Sequence, residues 1–149
     1  MNLSFKQMLD LPPVWLAGCL VLAWAQTWIL PSFPSLEISG WSFVAVGVAF
    51  MVLAFRAFQQ ARTTVIPHQV PSRLITHGVF RHSRNPIYFA DVMILVGASL
   101  IMGSWLGLLL VPVLVRILTK RFIEPEEVRL KEKFSANYEA WASRTRRWV

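Results

Sequence analysis

Long apolar segments separated by short polar ones dominate the chain. The segments Val14 to Leu30 and Trp41 to Phe55 contain no charged residue. An α-helix rises about 1.5 Å per residue, so each segment covers most of a hydrocarbon layer about 30 Å thick. A third tract, Tyr88 to Arg116, is too long for one crossing and is interrupted by the glycine-containing stretch 102–107. The pattern predicts an all-α polytopic membrane protein with about four transmembrane helices, the last two forming a helical hairpin.

Polar and proline-containing stretches indicate how the chain is organised. The segment Gln59 to Pro71 is polar, and its prolines, Pro67 and Pro71, discourage a continuous helix. We therefore predict a single membrane domain over residues 1–149. Within it, residues 1–71 form two spans and a cytosolic linker, and residues 72–149 form a loop, the helical hairpin and a cytosolic amphipathic tail.

The distribution of cations predicts the orientation of the spans. Lys6 precedes the first span, five arginines lie between the second and third spans, and nine lysines or arginines follow from Arg116 onward. These account for all 15 lysines and arginines, so neither connection on the opposite side carries a cation. By the positive-inside rule both termini are cytoplasmic. Trp28, Trp41 and Trp105 then fall at the outer ends of spans, where tryptophan is enriched.

Composition narrows the classes of function. A hydrophobic content of 55% and a mean hydropathy of +0.49 exceed what a small soluble core requires. The net charge of +7 is compatible with nucleic-acid binding, but the cations lie beside predicted membrane ends, where anionic lipid head groups attract them. The sequence contains no dinucleotide-binding glycine pattern, no P-loop and no zinc-ligand spacing. We therefore expect membrane lipids as contacts, and neither nucleic acid nor a bound metal.

The first span has an alternative interpretation as a cleavable leader. Lys6, the apolar run and Ala23-Trp24-Ala25 resemble the three parts of a secretory signal peptide. Cys19, the single cysteine, lies in the middle of this span and excludes an internal disulfide. Its simplest interpretation is a small apolar side chain.

The start of the third span combines several groups that bind anions. Asn85 is a preferred N-cap and Pro86 suits the first helical position, so free backbone N–H groups would point at the cytosolic interface. Arg81 and Arg84 lie three residues apart just before it, and they either clamp a carboxylate or phosphate or serve only as positive-inside anchors. Tyr88 is either an interfacial aromatic residue or a ring that contacts a cation.

Other polar residues near this start carry weaker signals. Asp91 lies one turn beyond Tyr88 and is costly inside a bilayer unless it is solvated or paired. It therefore has either a function or Arg84 as its partner. His77 and His82 have no ligand-like companion, so we interpret them as solvated loop residues.

A further helix start is visible in the C-terminal region. Pro125 suits the first turn of a helix, and Glu126 and Glu127 follow where the helix macrodipole favours carboxylates. Four apolar or aromatic residues then recur at spacings of four, four and three, which places them on one helix face; they are Leu130, Phe134, Tyr138 and Trp141. We therefore predict that the tail folds back onto the membrane domain.

Two separated motifs, in this order, resemble a known family. The loop Leu-Ile-Thr-x-Gly-Val-Phe at residues 74–80 and the helix start Arg84-Asn85-Pro86-x-Tyr88 precede the hairpin. Glu126-Glu127-x-x-Leu130 follows it, with Phe134, Tyr138 and Arg147-Trp148 beyond. The combination looks like the isoprenylcysteine carboxyl methyltransferase and phospholipid methyltransferase family, over about residues 72–148.

The resemblance implies an integral membrane methyltransferase that uses S-adenosylmethionine. The cofactor would lie at the cytosolic ends of the last two spans, capped by the tail, and a lipophilic acceptor would reach it from the bilayer. The residues thereby assigned to cofactor binding are Ser72, Arg73, Leu74, Ile75, Phe80, Asn85, Pro86, Ile87, Tyr88 and Glu126. Our hypothesis for catalysis is that Arg121 or Arg84 orients an anionic acceptor.

The chain departs from the family pattern at four positions. Asn85 replaces a histidine, and Ala90 and Ser135 replace glycines. Phe122 stands where the eukaryotic enzymes have an arginine that contacts substrate, although Arg121 is adjacent. The acceptor class therefore stays open among carboxylates, amines and thiols.

Two other functions fit part of the same pattern. One is an NADPH-dependent membrane reductase of the sterol reductase type. The other is a non-enzymatic membrane scaffold whose arginines bind only lipid head groups. The small size favours a bacterial inner-membrane protein, and the oligomeric state is open.

Overall fold

The fold of the chain is helical. A computed structural model describes residues 11–64 and 71–149. Within these ranges there is no β-strand, only an isolated bridge between Ser83 and Arg146. A short 3₁₀ helix spans Gly78–Arg81. The α-helices are α1 (Pro12–Ile29), α2 (Glu37–Ala61), α3 (Pro86–Met102), α4 (Trp105–Leu118) and α5 (Glu124–Ala142). The predicted all-α class is confirmed for this part of the chain.

Helices α1 and α2 are long and apolar enough to cross a membrane. Only 22% and 17% of their apolar windows are buried, whereas the core helix of a soluble protein is mostly buried. Helices α3 and α4 have 17 and 14 residues, so the count of four spans and their orientation stay predictions. Lys6 and Pro67, on which part of that topology rests, lie outside the described residues.

The predicted break between the last two apolar segments occurs at Gly103 and Ser104. Gly103 adopts a φ of +65°, a left-handed conformation that glycine tolerates without steric cost. Ser104 then caps α4, because its Oγ accepts the Gly107 N–H at 3.0 Å. The apolar tract therefore forms two helices, as its pattern predicts.

A π-helical turn, Thr119–Ile123, joins α4 to α5 without a loop. The Glu124 N–H donates to the Thr119 carbonyl five residues earlier, which is the π-helical pattern. Helix α5 begins at Glu124, one residue before the predicted start at Pro125, and has three glutamates in its first turn. The acidic first turn is thus present, but the tail helix continues from α4 instead of opening as a new helix.

The internal contacts divide the chain into two compact units. The first unit comprises the residues up to Gly47 together with Asp91–Arg116. The second unit comprises Val48–Ala90 together with Ile117–Val149. Every residue predicted for the functional site belongs to the second unit.

Close backbone approach holds the first unit together. A Cβ on Gly97 would lie 2.6 Å from the Gly40 carbonyl oxygen, which leaves room only for hydrogen. One polar cluster adds to this packing: the Gln26 Oε1 accepts the Ser104 hydroxyl at 2.6 Å, and the Gln26 Nε2 donates to the Pro31 carbonyl at 3.1 Å. The buried side chains of Gln26 and Ser104 thus find partners within this unit.

Aromatic side chains form the core of the second unit. Its buried members are Ala54, Ala57, Ile75, Phe80, Tyr138 and Trp141. Leu130 and Phe134 pack against them. All four residues of the predicted apolar tail face therefore lie in this core or against it, and α5 is held beside the loop that precedes α3.

Candidate functional site

The second unit contains a pocket that is partly open to solvent. The wall combines the C-terminal part of α2, the loop before α3 and one face of α5. Its apolar side chains include Phe58, Leu74, Ile75, Phe80, Leu130 and Trp141, and its polar ones are Thr64, Arg73, Arg84 and Glu126. The pocket therefore offers aromatic faces, two cations and a carboxylate to one ligand.

Hydrogen bonding and ring contacts fix the aromatic wall. The Trp141 Nε1–H donates to the Phe80 carbonyl at 3.0 Å, which ties α5 to the 3₁₀ helix. The rings of Phe58 and Phe80 meet edge to face with centroids 5.5 Å apart. A ligand would thus meet a preformed apolar surface.

Tyr88 and Glu126, which are 38 residues apart in sequence, are in contact. The Tyr88 hydroxyl donates to a Glu126 carboxylate oxygen at 3.2 Å. Tyr88 is buried, and its ring lies 6.2 Å from that of Phe122 between centroids. The first turn of α3 and the first turn of α5 therefore meet at the pocket residue Glu126.

Glu127 bridges two arginines beside the pocket. Its Oε1 lies 3.2 Å from the Arg84 Nη1 and accepts the Arg147 Nε–H at 3.0 Å. Its Oε2 accepts the Arg147 Nη2–H at 2.6 Å, so the pair with Arg147 is bidentate. The hydrogen bond to Glu127 raises the pKa of Arg147 above its usual value.

The Arg84 guanidinium has N–H donors with partners and, within the described part of the chain, one without. Its Nη1 also donates to the Tyr138 hydroxyl at 3.3 Å. Burial and the nearby Glu127 carboxylate raise the pKa of Tyr138, so its phenol stays protonated at neutral pH. The Arg84 Nε is buried and has no hydrogen-bond partner among the described residues. The same arginine also contributes to the wall of the pocket.

A family model for phospholipid methyltransferases matches residues 15–137 of the chain. The chain belongs to this family. The match agrees with the resemblance drawn from the two motifs, and it extends to the first two apolar segments. Searches of curated proteins and of solved structures gave no match. Membership in a methyltransferase family, together with α1 and α2, indicates a methyltransferase associated with a membrane.

Half of the residues that the sequence analysis assigned to cofactor binding line the pocket. They are Arg73, Leu74, Ile75, Phe80 and Glu126, and the catalytic candidate Arg84 lies among them. Tyr88 is joined to the pocket through its hydrogen bond to Glu126. Their roles in binding stay predictions, but the fold brings them together.

The remaining assigned residues contact other parts of the second unit. The Ser72 N–H and hydroxyl reach the Thr63 hydroxyl at 2.8 and 3.1 Å. Asn85 precedes α3 as predicted, and its Nδ2 donates to the Arg147 carbonyl at 2.9 Å. Pro86 is buried at the start of α3, and Ile87 packs against the aromatic core.

The structure distinguishes the two arginines considered for acceptor orientation. Arg121 is exposed and is not part of the pocket wall, whereas Phe122 beside it is 2% exposed. The acceptor role of Arg121 stays a prediction. Glu127 is the carboxylate that pairs with Arg84, and the buried Asp91 has an Oδ2 without a hydrogen-bond partner in the described ranges.

His77 and His82 are exposed, in agreement with their interpretation as loop residues. Residues 11–64 and 71–149 contain no cluster of three or more histidine, cysteine or acidic side chains that could hold a metal ion.

Three features of the site were not predicted from the sequence. Phe58 was given no role, because it lies beyond the apolar segment that ends at Phe55, although Ala54, Phe58 and Ala61 recur at helical spacing and indicate a buried face. The bridge from Arg84 through Glu127 to Arg147 has no sequence signal, because its members are far apart along the chain. Trp141 was expected on the apolar tail face, but not as part of a pocket wall.

Proposed function

We propose that the chain is an integral membrane methyltransferase that takes its methyl group from S-adenosylmethionine and acts on a lipophilic acceptor. The supporting observation is the pocket of the second unit, where Arg84, Glu126 and an aromatic wall occur together in a member of a methyltransferase family.

The side chains of the pocket suit each part of S-adenosylmethionine. Arg84 lines the pocket, and guanidinium groups bind carboxylates well. Glu126 offers carboxylate oxygens to ribose hydroxyls. The faces of Phe58, Phe80 and Trp141 suit an adenine ring or a positively charged sulfur. This set of groups fits the donor better than a lipid head group, which would not require an aromatic wall.

Three tasks then fall to the residues of the chain. When bound, S-adenosylmethionine supplies a methyl group that is already activated on a sulfonium. Arg84 and Glu126 hold the polar ends of the donor, and Tyr88 keeps the Glu126 carboxylate in place. Phe80 and Trp141 exclude water from one side of the pocket. Catalysis by alignment requires no covalent nucleophile from the protein.

The acceptor is the less defined partner. We infer a lipophilic or lipid-linked molecule, in the manner of an isoprenylcysteine carboxyl methyltransferase, because the chain exposes large apolar side chains on its candidate spans. The exposed Arg121 would orient an acceptor that carries an anionic group. Both termini would be cytoplasmic, in a bacterial inner membrane, with membrane lipids as the surrounding partners.

Isothermal titration calorimetry of the purified protein in detergent with S-adenosylhomocysteine tests donor binding. We expect saturable binding in the wild type. Glu126→Gln removes a charged hydrogen-bond acceptor worth about 1.5–3 kcal/mol, so affinity should fall at least about tenfold. Glu132→Gln, an exposed glutamate on the same helix, is the matched control and should bind within about twofold of the wild type, as surface substitutions do.

The same titration decides between this proposal and its rivals. No heat at millimolar S-adenosylhomocysteine, or equal losses in the two glutamate variants, contradicts the proposal. Preferential binding of NADPH supports the reductase, and binding of neither ligand supports the scaffold. Transfer of a labelled methyl group from S-adenosylmethionine into a lipid extract, and its absence from water-soluble compounds, would support a lipophilic acceptor.

A further inference from the structure

The C-terminal segment, residues 145–148, lies beyond the residues matched by the family model, which end at 137. It is nevertheless attached to the loop that carries Arg84. The Arg84 N–H donates to the Arg146 carbonyl at 2.9 Å, and the Asn85 Nδ2 donates to the Arg147 carbonyl at 2.9 Å. Ser83, fully buried, places its hydroxyl 3.4 Å from the same Arg147 oxygen. Backbone carbonyls of the C-terminal segment thus fix this loop.

The Arg147 side chain makes a separate connection. It holds both carboxylate oxygens of Glu127, at 3.0 and 2.6 Å, and Glu127 in turn holds the Arg84 Nη1 at 3.2 Å. A bidentate guanidinium pair fixes the plane of a carboxylate, which a single contact does not. The orientation of Glu127, and through it the position of Arg84 in the pocket wall, therefore depends on Arg147.

We propose that Arg147 is a positioning residue for the methyl-donor pocket: through Glu127 it sets the guanidinium of Arg84 in the orientation that binds the donor. The proposal rests on the proposed function, since it concerns the same pocket. It also makes the C-terminal segment part of the working site. Arg147 is not among the residues that line the pocket, so it need not contact the donor.

Removing the Arg147 side chain should weaken donor binding without detaching the segment, because the backbone hydrogen bonds remain. We expect Arg147→Gln to weaken S-adenosylhomocysteine binding at least about tenfold, the scale of a lost charge-assisted contact. Arg147→Lys keeps the charge but not the bidentate geometry, so its affinity should be intermediate. Arg144→Gln loses the same charge at an exposed position and should bind within about twofold of the wild type. Titration calorimetry on the full-length protein measures all three.

Exchanging the charges of residues 127 and 147 tests whether Arg147 orients Arg84 or only stabilises the fold. In the double variant Glu127→Arg with Arg147→Glu, the pair between these two positions can form again, but residue 127 now repels Arg84. We expect the melting temperature to recover relative to Arg147→Glu alone, while S-adenosylhomocysteine affinity stays low. Recovery of both would overturn the proposal, as would equal affinities of Arg147→Gln and Arg144→Gln.

A measurement without ligand keeps this proposal distinct from the proposed function. If the wild type binds no S-adenosylhomocysteine, the proposed function fails, but the link through Glu127 can still be measured. The shifts in melting temperature of Arg84→Gln and Arg147→Gln should then be non-additive in the double variant, because both act on Glu127. Additive shifts would overturn the link. Should Arg147→Gln fail to fold, Arg147→Lys carries the same comparison.

Discussion

The two units of the chain are stabilised by different means. In the first unit, the charged side chains within the described residues are Glu37, Asp91 and Arg116. Its contacts are close approaches of glycine backbone, such as Gly97 to Gly40, and hydrogen bonds between neutral groups. The second unit contains the remaining described charges, including the bridge of two arginines by Glu127.

The difference between the units reflects two requirements: helix packing in the first unit and ligand binding in the second. Where neighbouring lipid is as apolar as the protein, hydrophobic burial gives little preference for one helix arrangement, so shape complementarity at small residues must provide it. Where a charged ligand is bound, aligned charges and hydrogen-bond donors are needed, and other side chains must hold those groups in position. Substitutions in the first unit should therefore act on stability, and those in the second unit on ligand affinity.

The largest expected effect is a loss of affinity in the second unit. Arg84→Gln removes a guanidinium from the pocket wall, so S-adenosylhomocysteine affinity should fall about 10–100-fold, the worth of a charged hydrogen bond. Arg81→Gln loses the same charge three residues earlier at an exposed position and should remain within about twofold. Calorimetry compares the two, and equal losses would show that general charge, and not the pocket, governs binding.

An intermediate effect is expected on the stability of the first unit. Gly97→Ala forces a Cβ against the Gly40 carbonyl and the Val44 side chain, and such overpacking costs about 1–3 kcal/mol. Gly18→Ala meets nothing within 4 Å and should be neutral or stabilise the helix by up to about 1 kcal/mol. Thermal unfolding in detergent distinguishes the pair. If Gly97→Ala weakened S-adenosylhomocysteine binding and Gly18→Ala did not, the expectation that first-unit substitutions act on stability and not on ligand affinity would be contradicted.

The smallest effect concerns the tail helix of the second unit. Ser135 has a φ of +42° inside α5, a conformation that favours glycine. Ser135→Gly should therefore raise the stability by about 1 kcal/mol, because relief of roughly 1–3 kcal/mol of backbone strain exceeds the entropic cost of roughly 0.5–1 kcal/mol that glycine adds. Ala136→Gly, at the next position, should lower it by about 0.5–1 kcal/mol if that residue needs helical backbone. Melting temperatures measure the change in stability of each variant. A lower melting temperature in both variants would contradict backbone strain at Ser135.

The positive φ of Ser135 also explains one departure of this sequence from the family pattern. The sequence departs from the pattern there by a serine in place of glycine, which by itself indicates only a difference. The positive φ supplies the reason, because glycine adopts that conformation without the steric cost of a Cβ. The helix keeps its kink despite the substitution.

Local and periodic features were predicted well. The break at Gly103 and the start of α3 at Pro86 follow from turn and capping chemistry within a few residues. The apolar face of α5 follows from its spacing, and Tyr138 and Trp141 are buried in the core as that spacing requires. Such features depend on neighbours in sequence, so the chain itself contains the information.

Choices among equivalent residues were not predictable. Arg81 and Arg84 have the same chemistry and differ by three positions, yet one is exposed and the other lines the pocket. Asp91 and Glu127 were both available as carboxylates, and Glu127 pairs with Arg84. The sequence does not show which face of a loop or helix another element will cover.

The sequence by itself determined the helical class, the apolar segments and the family, since these follow from periodicity, composition and two motifs in order. The tertiary structure decided which donors and acceptors meet. Tyr88 reaches Glu126, and Arg147 reaches Glu127, across separations that no local pattern specifies. The physical reason is that the directions and distances required for hydrogen bonds between distant residues are fixed only when the helices pack.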